Sequence, residues 1–117
     1  YQYDDQNIFA KILRGEIPNK TVLETDHSLA FHDIQPAKPV HVLVIPKVRW
    51  VSMRDMAAAD AAAAGRFMAG ISLTARELGL EDDGYRVVFN TGRDALQTVE
   101  YLHAHILAGR KLGWPPG

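Results

Sequence analysis

Residues 101–107 read Tyr-Leu-His-Ala-His-Ile-Leu, and they show the alternation of a β-strand. Successive side chains of a strand point to opposite faces, so odd-numbered positions share one face and even-numbered positions the other. The even positions are all apolar, and the odd positions carry both histidines, His103 and His105. In a strand the Cα atoms of these histidines would lie ~6.5–7 Å apart, close enough for both imidazoles to contact one small ligand. The stretch therefore predicts a strand over 101–107 with one buried face and one histidine-bearing face.

Four more runs favour strands, because they are rich in β-branched and aromatic residues and are bounded by turn-forming residues. They span residues 21–25, 28–33, 41–45 and 85–90. Asp26 and His27 separate the first two runs, which predicts a hairpin. Pro46 is expected to end the third run, since proline cannot donate to a sheet ladder.

Two helices are predicted among these strands. Asn7 can cap a short helix that runs through Arg14, and a long helical region is predicted from Ser52 to Leu78. It opens with Ser52 and Asp55 at the spacing of a capping box. The inner-face residues follow from helical spacing: Ile8, Ile12 and Leu13 in the short helix, and Ala64, Phe67, Met68, Ile71 and Leu78 in the long one. Consecutive strands with one long and one short helix predict an α+β domain around a mainly antiparallel sheet of about five strands.

Composition excludes several classes of protein. The chain has 117 residues, 47% apolar and 23% charged, which fits one globular domain over residues 1–117 with residues 1–6 frayed. There are no cysteines, so a disulfide framework and a thiol nucleophile are excluded. The net charge of −1 does not favour a nucleic-acid or membrane partner. No apolar stretch is long enough to span a bilayer, and a cytoplasmic protein is expected.

The His103–His105 pair is compatible with three interpretations. The histidines could simply lie on a solvated strand face. They could ligate zinc, with His41 as a third ligand, because neutral imidazoles are common zinc ligands. One of them could act as a nucleophile through Nε2 if its Nδ1–H is held by an acceptor, with a second proton donor for the leaving group. Spacing alone does not separate these possibilities.

Several longer segments carry a family resemblance. They are FHDIQP at 31–36, HVLVIPK at 41–47, GYRVVFN at 84–90 and QTV at 97–99, followed by the histidine pair. In this order they resemble the histidine triad nucleotide-binding family. The ending AGRKLGWPPG at 108–117 resembles the purine nucleoside phosphoramidase branch of that family. The match runs in register from about Ile8 to Gly117.

The resemblance implies a homodimer whose sheet continues across the two subunits, with the tail 108–117 at the interface. It implies hydrolysis of purine nucleoside phosphoramidates and acyl nucleotides, such as adenosine monophosphate joined to an amine. The ligand would then be a purine nucleotide, and the reaction would pass through a nucleotidyl-histidine intermediate with no metal or cofactor.

The resemblance also assigns roles to individual residues. His103 matches the nucleophile, His105 the histidine that contacts the phosphate and the leaving group, and His41 an additional histidine of the relay. Two positions match phosphate contacts (Asn90 and Thr98), and Asp33 matches the carboxylate that binds ribose. The remaining nucleotide-binding positions are Ile8, Phe9, Ile12, Phe31, His32, Ile34 and Val99, and Trp114 matches an aromatic residue that reaches toward the partner subunit.

Two departures from the family pattern stand out. The first histidine of the His-x-His-x-His motif is replaced by Tyr101, which cannot relay a proton at neutral pH as imidazole can. The backbone carbonyl of Tyr101 could still orient His103. Residues 93–96 (RDAL) stand where the family commonly has a Gly-Gly pair, so Leu96 is expected to narrow the pocket or to change the path of the loop. These departures keep open an alternative, a catalytically weakened module for nucleotide binding or protein interaction.

Overall fold

The computed structural model describes residues 3–117, in which three helices surround a five-stranded sheet. In chain order the elements are α1 (Ile8–Leu13), β1 (Thr21–Glu24), β2 (Ser28–His32), β3 (Val40–Pro46), α2 (Met53–Ala58), α3 (Ala61–Glu77), β4 (Arg86–Phe89) and β5 (Ala104–Ala108). All neighbouring strands are antiparallel, in the order β1-β2-β3-β5-β4. The predicted α+β class, the hairpin and the antiparallel sheet are confirmed.

Strand β3 lies at the centre of the sheet and sets the position of the histidines. It pairs with β2 on one side and with β5 on the other. His41 of β3 lies opposite Leu107 of β5, and Leu43 lies opposite His105. His41 and His105 are therefore diagonal neighbours on the same face of the sheet, near enough for their side chains to meet.

The two faces of the sheet belong to two separate cores. On one face, Val42 and Ile106 pack in a cluster with Phe67 and Ile71 of α3. On the other face, residues of β2, β3 and the segment before β5 pack against the short helix α1. Because α1 has only six residues, it covers part of this second face. The uncovered remainder carries the candidate site.

The final strand is shorter than predicted. It begins at Ala104 rather than at residue 101, so His103 precedes the strand. The reason is that the ladder between β3 and β5 ends at Val44 and Ala104, and the Leu102 N–H donates instead to the Trp50 carbonyl at 2.7 Å. The alternation itself persists, because Tyr101 packs in the core beside α1 and Leu102 in the core beside α3.

The prediction of one long helix was also wrong, because residues 53–77 form two helices, α2 and α3. The capping box of Ser52 and Asp55 is confirmed as the start of α2. Ala59 then takes an extended conformation, with ψ at 174°. The Asp60 carboxylate accepts a hydrogen bond from the Ala62 N–H and caps a second helix. A good N-cap residue inside a helical pattern thus starts a new helix.

The prediction of which helix residues face the core is correct only in part. Phe67 and Ile71 of α3 are buried as predicted, whereas Met68 is 45% exposed and Thr74 is buried in its place. In α1, Ile8 is 43% exposed, and the neighbouring Phe9 fills the core through an edge contact with the Phe31 ring at 5.9 Å. The cap at Asn7 is confirmed by a 2.8 Å hydrogen bond from the Ala10 N–H.

The chain start was predicted to be frayed over residues 1–6, of which residues 1 and 2 lie outside the described part. Residues 3–6 make contacts with the rest of the chain and with one another, and the fraying stays a prediction. The Tyr3 ring lies 5.9 Å from the Tyr101 ring and beneath the Arg49 guanidinium, and the Asp4 carboxylate accepts a hydrogen bond from the Gln6 N–H. Across residues 3–117, no helix has the length and apolar character needed to cross a membrane.

Candidate active site

A cavity of about 400 Å³ opens on the sheet face that α1 covers only in part. Its walls come from α1 and the loop after it, from β2 and the loop after it, from β3, and from the segment leading into β5. The lining residues are Ile8, Phe9, Ile12, Ile17, Pro18, Asn19, Lys20, Phe31, His32, Asp33, Ile34, Gln35, Leu43, Thr98, Val99, His103 and His105. The wall therefore combines apolar side chains with the imidazoles of His32, His103 and His105.

The His103 ring is fixed by a backbone carbonyl. Its Nδ1 lies 2.7 Å from the Tyr101 carbonyl oxygen, and because a carbonyl only accepts hydrogen bonds, Nδ1 must carry the proton. The neutral ring then has a free lone pair on Nε2. Burial lowers the pKa of His103, which keeps the ring neutral at pH 7. The Tyr101 carbonyl, which the sequence left available as an acceptor, thus orients this histidine, and a neutral imidazole with a free Nε2 lone pair is what a histidine nucleophile requires.

His41 and His105 form a hydrogen-bonded pair, in which His105 lines the cavity and His41 lies behind it. The Ala37 N–H donates to Nδ1 of His41 at 2.9 Å, so the proton of neutral His41 lies on Nε2. That Nε2–H faces Nδ1 of His105 at 2.8 Å and donates to it, which places the proton of His105 on its own Nε2. Within residues 3–117, Nε2 of His105 is buried and has no hydrogen-bond partner. A buried N–H without a partner costs free energy, so it favours a ligand with an acceptor oxygen or nitrogen there.

The charges around the pair are few. One Asp33 oxygen accepts a hydrogen bond from the Gln35 N–H, and the other lies 3.4 Å from Nε2 of His41. Burial lowers the pKa of His41 despite this carboxylate. Burial, aided by the neighbouring His103 and His41, lowers the pKa of His105 to about 4. His41, His103 and His105 are therefore all neutral at pH 7, in the tautomers that the hydrogen bonds require.

The structure brings most of the predicted site residues around this one cavity. His103, His105, Asp33 and Thr98 line it, together with the predicted apolar set and His32. His41 lies behind His105 and contacts it directly, outside the lining. Asn90 directly follows β4 and does not line the cavity. The roles assigned to these residues stay predictions.

Sequence reasoning missed part of the wall, namely Ile17, Pro18, Asn19, Lys20, Gln35 and Leu43. Leu43 could have been found, because it lies two residues after His41 on the same strand and so shares its face. Most of the others belong to the loop between α1 and β1. A loop has no periodicity from which the direction of its side chains can be deduced.

The two departures from the family pattern lie outside the cavity wall. The Tyr101 side chain is 1% exposed, and its hydroxyl donates to the Pro46 carbonyl at 2.6 Å. Burial raises the pKa of Tyr101 well above its usual value of 10, so the phenol keeps its proton. Leu96 does not narrow the cavity, because its side chain is 77% exposed and lines a neighbouring groove. The loop backbone has a φ of +61° at this residue.

A metal ion would find a different ligand set from the predicted one. In the described part of the chain, the ligand atoms of Asp33, His41 and His105 lie within 4.8 Å of one another, whereas His103 is not part of this group. This group thus has Asp33 where the zinc interpretation has His103. The 2.8 Å between His41 Nε2 and His105 Nδ1 is a hydrogen-bond distance. Two nitrogens on one tetrahedral zinc lie ~3.3 Å apart, so this pair would have to separate to bind it.

Comparison with known proteins finds close relatives over nearly the whole chain. A curated relative, an uncharacterised 13.2 kDa HIT-like protein of Azospirillum brasilense, is 54% identical over 95% of this chain and 92% of its own length. The purine nucleoside phosphoramidase of Escherichia coli is 39% identical, over 93% of this chain and 92% of its own. The solved structure of a histidine triad protein from Clostridium difficile superposes with a TM-score of 0.86 at 40% identity, covering 96% of this chain and 97% of that one.

The HIT domain family model matches residues 14–112, a range that includes all five strands and the three histidines of the site. The identities and the coverage of both chains agree with that match. By fold, by sequence and by the placement of His103 and His105, this chain belongs to the HIT domain family.

Proposed function

We propose that this protein hydrolyses purine nucleoside phosphoramidates and acyl nucleotides, with His103 as the nucleophile. One observation carries the proposal: the hydrogen bond to the Tyr101 carbonyl leaves Nε2 of His103 unprotonated, and an unpaired Nε2–H of His105 lies on the next ring, with the ring centroids 5.0 Å apart. A lone pair beside a hydrogen-bond donor is what displacement at phosphorus needs. The relationship to a purine nucleoside phosphoramidase supports the same chemistry.

In the first step, the Nε2 lone pair of His103 attacks phosphorus and a P–N bond forms. The bond from phosphorus to the leaving amine breaks, and its electron pair stays with the amine nitrogen. That nitrogen takes a proton from the His41–His105 pair. The pair can supply one because an anionic phosphoryl group beside it raises the pKa that burial had lowered, so the pair takes up a proton from solvent when the substrate binds. The Nδ1–H of His103 keeps its proton and its hydrogen bond to the Tyr101 carbonyl throughout this step.

In the second step, water attacks phosphorus and the bond to Nε2 of His103 breaks. The electron pair of that bond returns to Nε2, which restores the neutral imidazole. The proton released by the water goes to the His41–His105 pair, so the pair is ready for another turnover. The products are the nucleoside monophosphate and the free amine or acid.

The apolar part of the cavity wall can receive a nucleoside. Ile12 and Phe31 offer flat and branched apolar surface for a purine, and Ile34 stands 89% exposed at the rim. Asp33 directly follows β2 and lines the cavity, where its carboxylate can accept hydrogen bonds from ribose hydroxyls. The Thr98 hydroxyl can donate to a phosphate oxygen.

The test is hydrolysis of an adenosine 5′-phosphoramidate with a fluorescent amine leaving group, in the presence of a chelator. We expect turnover by the wild type and its loss in His103→Ala, since Nε2 of the neighbouring His105 carries a proton and cannot replace the lone pair of His103. His27→Ala is the matched control, because His27 is an exposed turn residue away from the cavity, and it is expected to keep full activity. Turnover by a folded His103→Ala variant would exclude the proposal.

A second candidate is a nucleotide-binding or interaction module with little or no turnover. The observation that favours it is Tyr101 at a position where the family has histidine, with its proton held by burial. This candidate predicts that adenosine monophosphate binds the wild type while the phosphoramidate stays intact. Calorimetric titration beside the hydrolysis assay separates the two candidates.

We further propose that the functional unit is a homodimer in which the sheet continues across the β4 edge. Strand β4 is last in the sheet order. The tail folds back to it, because Arg86 donates to the Gly113 carbonyl at 3.0 Å and its guanidinium lies over the Trp114 ring at 5.7 Å. Trp114 is nonetheless 81% exposed, which fits contact with a partner subunit. Sedimentation of the wild type should give a dimer, and a monomer at assay concentrations would exclude this arrangement.

A further inference from the structure

We propose that the Tyr101 side chain is a positioning residue for the His103 nucleophile: its hydroxyl, tied to the Pro46 carbonyl, fixes the backbone carbonyl that holds the His103 ring. The inference rests on the proposed function and concerns a residue at which this chain departs from its family pattern. Tyr101 does not line the cavity, so its action passes through His103.

Tyr101 takes part in two short hydrogen bonds, one through its side-chain hydroxyl and one through its backbone carbonyl. The Tyr101 hydroxyl donates to the Pro46 carbonyl at 2.6 Å, and the Tyr101 carbonyl accepts from Nδ1 of His103 at 2.7 Å. Both side chains that take part in these bonds are buried, since Tyr101 is 1% exposed and His103 is 6% exposed. A hydrogen bond shielded from water has no competing partner, so each bond restricts the position of the groups that it joins.

The hydrogen bond from the Tyr101 hydroxyl to Pro46 is needed because the backbone of residues 101–103 lies outside the sheet. The ladder between β3 and β5 ends at Ala104, so residues 101–103 are not held by strand pairing. The Leu102 N–H bond to the Trp50 carbonyl holds one point of this segment. The tyrosine hydroxyl supplies a second point, at the end of β3.

Strand β3 thereby connects both halves of the site. His41, near its start, contacts His105, and Pro46, at its end, holds Tyr101 and through it His103. The Tyr101 ring is also packed against Tyr3, at a centroid distance of 5.9 Å. A histidine at this position, as in the family pattern, has a shorter side chain than tyrosine and would have to use another contact.

The test compares Tyr101→Phe with Thr74→Val. Each variant removes one buried hydroxyl that donates to a backbone carbonyl, at 2.6 Å from Tyr101 to Pro46 and at 2.7 Å from Thr74 to Gly70. Both residues are 1% exposed, but Thr74 lies in α3 on the other side of the sheet. A general loss of stability would appear in both variants, whereas an effect through His103 would appear in one.

In Tyr101→Phe we expect kcat to fall about tenfold with little change in KM, since misplacing a reacting group slows the chemical step more than it weakens binding. The ¹⁵N resonances of His103 should show less of the Nδ1–H tautomer, and the ring should titrate at lower pH, because the bond to the Tyr101 carbonyl raises its pKa. Thr74→Val should match the wild type in kcat, KM and the His103 spectrum.

The proposal is overturned if Tyr101→Phe keeps the wild-type kcat, if kcat falls while the His103 resonances stay unchanged, or if Thr74→Val loses the same activity. The proposed function fails separately, through absence of turnover by the wild type. In that case the comparison of His103 tautomers in the wild type and Tyr101→Phe decides the positioning role alone.

Discussion

At the scale of single residues, the site depends on backbone groups whose hydrogen-bonding roles cannot change. A carbonyl only accepts and an amide N–H only donates, so the Tyr101 carbonyl and the Ala37 N–H fix the tautomers of His103 and His41. The tautomer of His105 follows from that of His41. No carboxylate is needed to orient the nucleophile, which is consistent with the single acidic residue, Asp33, in the cavity wall.

The pH dependence of catalysis follows from the burial of His103. The nucleophile must be unprotonated, and burial lowers its pKa from the ordinary value of 6.5. The acid limb of kcat/KM for a phosphoramidate should therefore have its midpoint below pH 6.5, with activity falling as pH decreases through it. A midpoint at or above 6.5 would show that the free enzyme does not hold His103 in the buried, neutral state described above.

A second residue-scale prediction concerns Leu96, whose φ of +61° lies in the left-handed region. A side chain there is strained by ~1–2 kcal/mol relative to the right-handed region, and glycine is not. Leu96→Gly should therefore raise the free energy of unfolding by about 1 kcal/mol, because the side chain is exposed and loses little packing. Ala95→Gly, the control in the same loop, should lower it. Denaturant unfolding measures both, and destabilisation by Leu96→Gly would contradict the assigned strain.

At the scale of elements, the contact between α3 and the sheet depends on one glycine. A Cβ atom on Gly70 would collide with Oγ of Ser28 and lie 3.2 Å from its Cβ. Ser28 is buried, and its hydroxyl pairs with the Thr25 hydroxyl at 2.9 Å, so it has little freedom to move. Gly70 therefore allows α3 to approach β2 closely, although glycine weakens a helix.

The two glycines of α3 make a matched pair for testing this. Gly65 has open space around its Cα, and Gly65→Ala should stabilise the protein by roughly 0.5–1 kcal/mol through helix propensity. Gly70→Ala has the same propensity gain but adds an overlap with Ser28, and it should destabilise by about 1–3 kcal/mol. Thermal or denaturant unfolding gives both values. Equal effects of the two substitutions would mean that α3 does not contact β2 at this position.

The helices and strands also show which elements a sequence can predict. The five strands, the Asn7 cap and the capping box of Ser52 and Asp55 were predictable, because alternation and cap residues act locally. The break at Ala59 and Asp60 was missed, since an alanine-rich pattern masks the competing cap. The start of β5 was misplaced because the divergence from β3 depends on Trp50, a residue distant in sequence.

In the site, strand alternation placed His103 and His105 on one face. Comparison with the family pattern left the Tyr101 carbonyl as a group that could orient His103. The hydroxyl bond from Tyr101 to Pro46 did not, because it joins residues 55 positions apart. The wall formed by Asn19 and Lys20 was also missed, since the loop that carries them has no repeating pattern.

At the scale of the whole molecule, the buried imidazoles link folding to pH. His41, His103 and His105 all have pKa values lowered by burial, so the folded state leaves them neutral where the unfolded chain binds protons. Below the unfolded pKa of 6.5, the unfolded state binds more protons than the folded state. Stability must then decrease as pH falls from about 6.5 toward the folded pKa values.

This linkage is measurable between pH 7 and pH 5. The free energy of unfolding of the wild type should fall across this window, by up to about 1.4 kcal/mol per pH unit for each histidine that stays neutral. His105→Gln removes the group whose pKa is lowered to about 4, so its stability should fall less steeply. His27→Gln, at an exposed turn, should follow the wild-type slope. Parallel curves for the wild type and His105→Gln would contradict the buried neutral state of His105.

The most direct test of the mechanism asks whether Nε2 of His103 forms a bond to phosphorus. The wild type is quenched in base during turnover of a slow phosphoramidate substrate, and the intact protein is analysed by mass spectrometry. A phosphorus–imidazole bond is expected to appear as an adduct of one nucleotidyl group per chain, mapped to the peptide that contains His103. The adduct should be absent from His103→Ala and present in His27→Ala. Turnover by the wild type with no adduct, or an adduct mapped to His105 or His41, would contradict the assignment of His103 as the nucleophile.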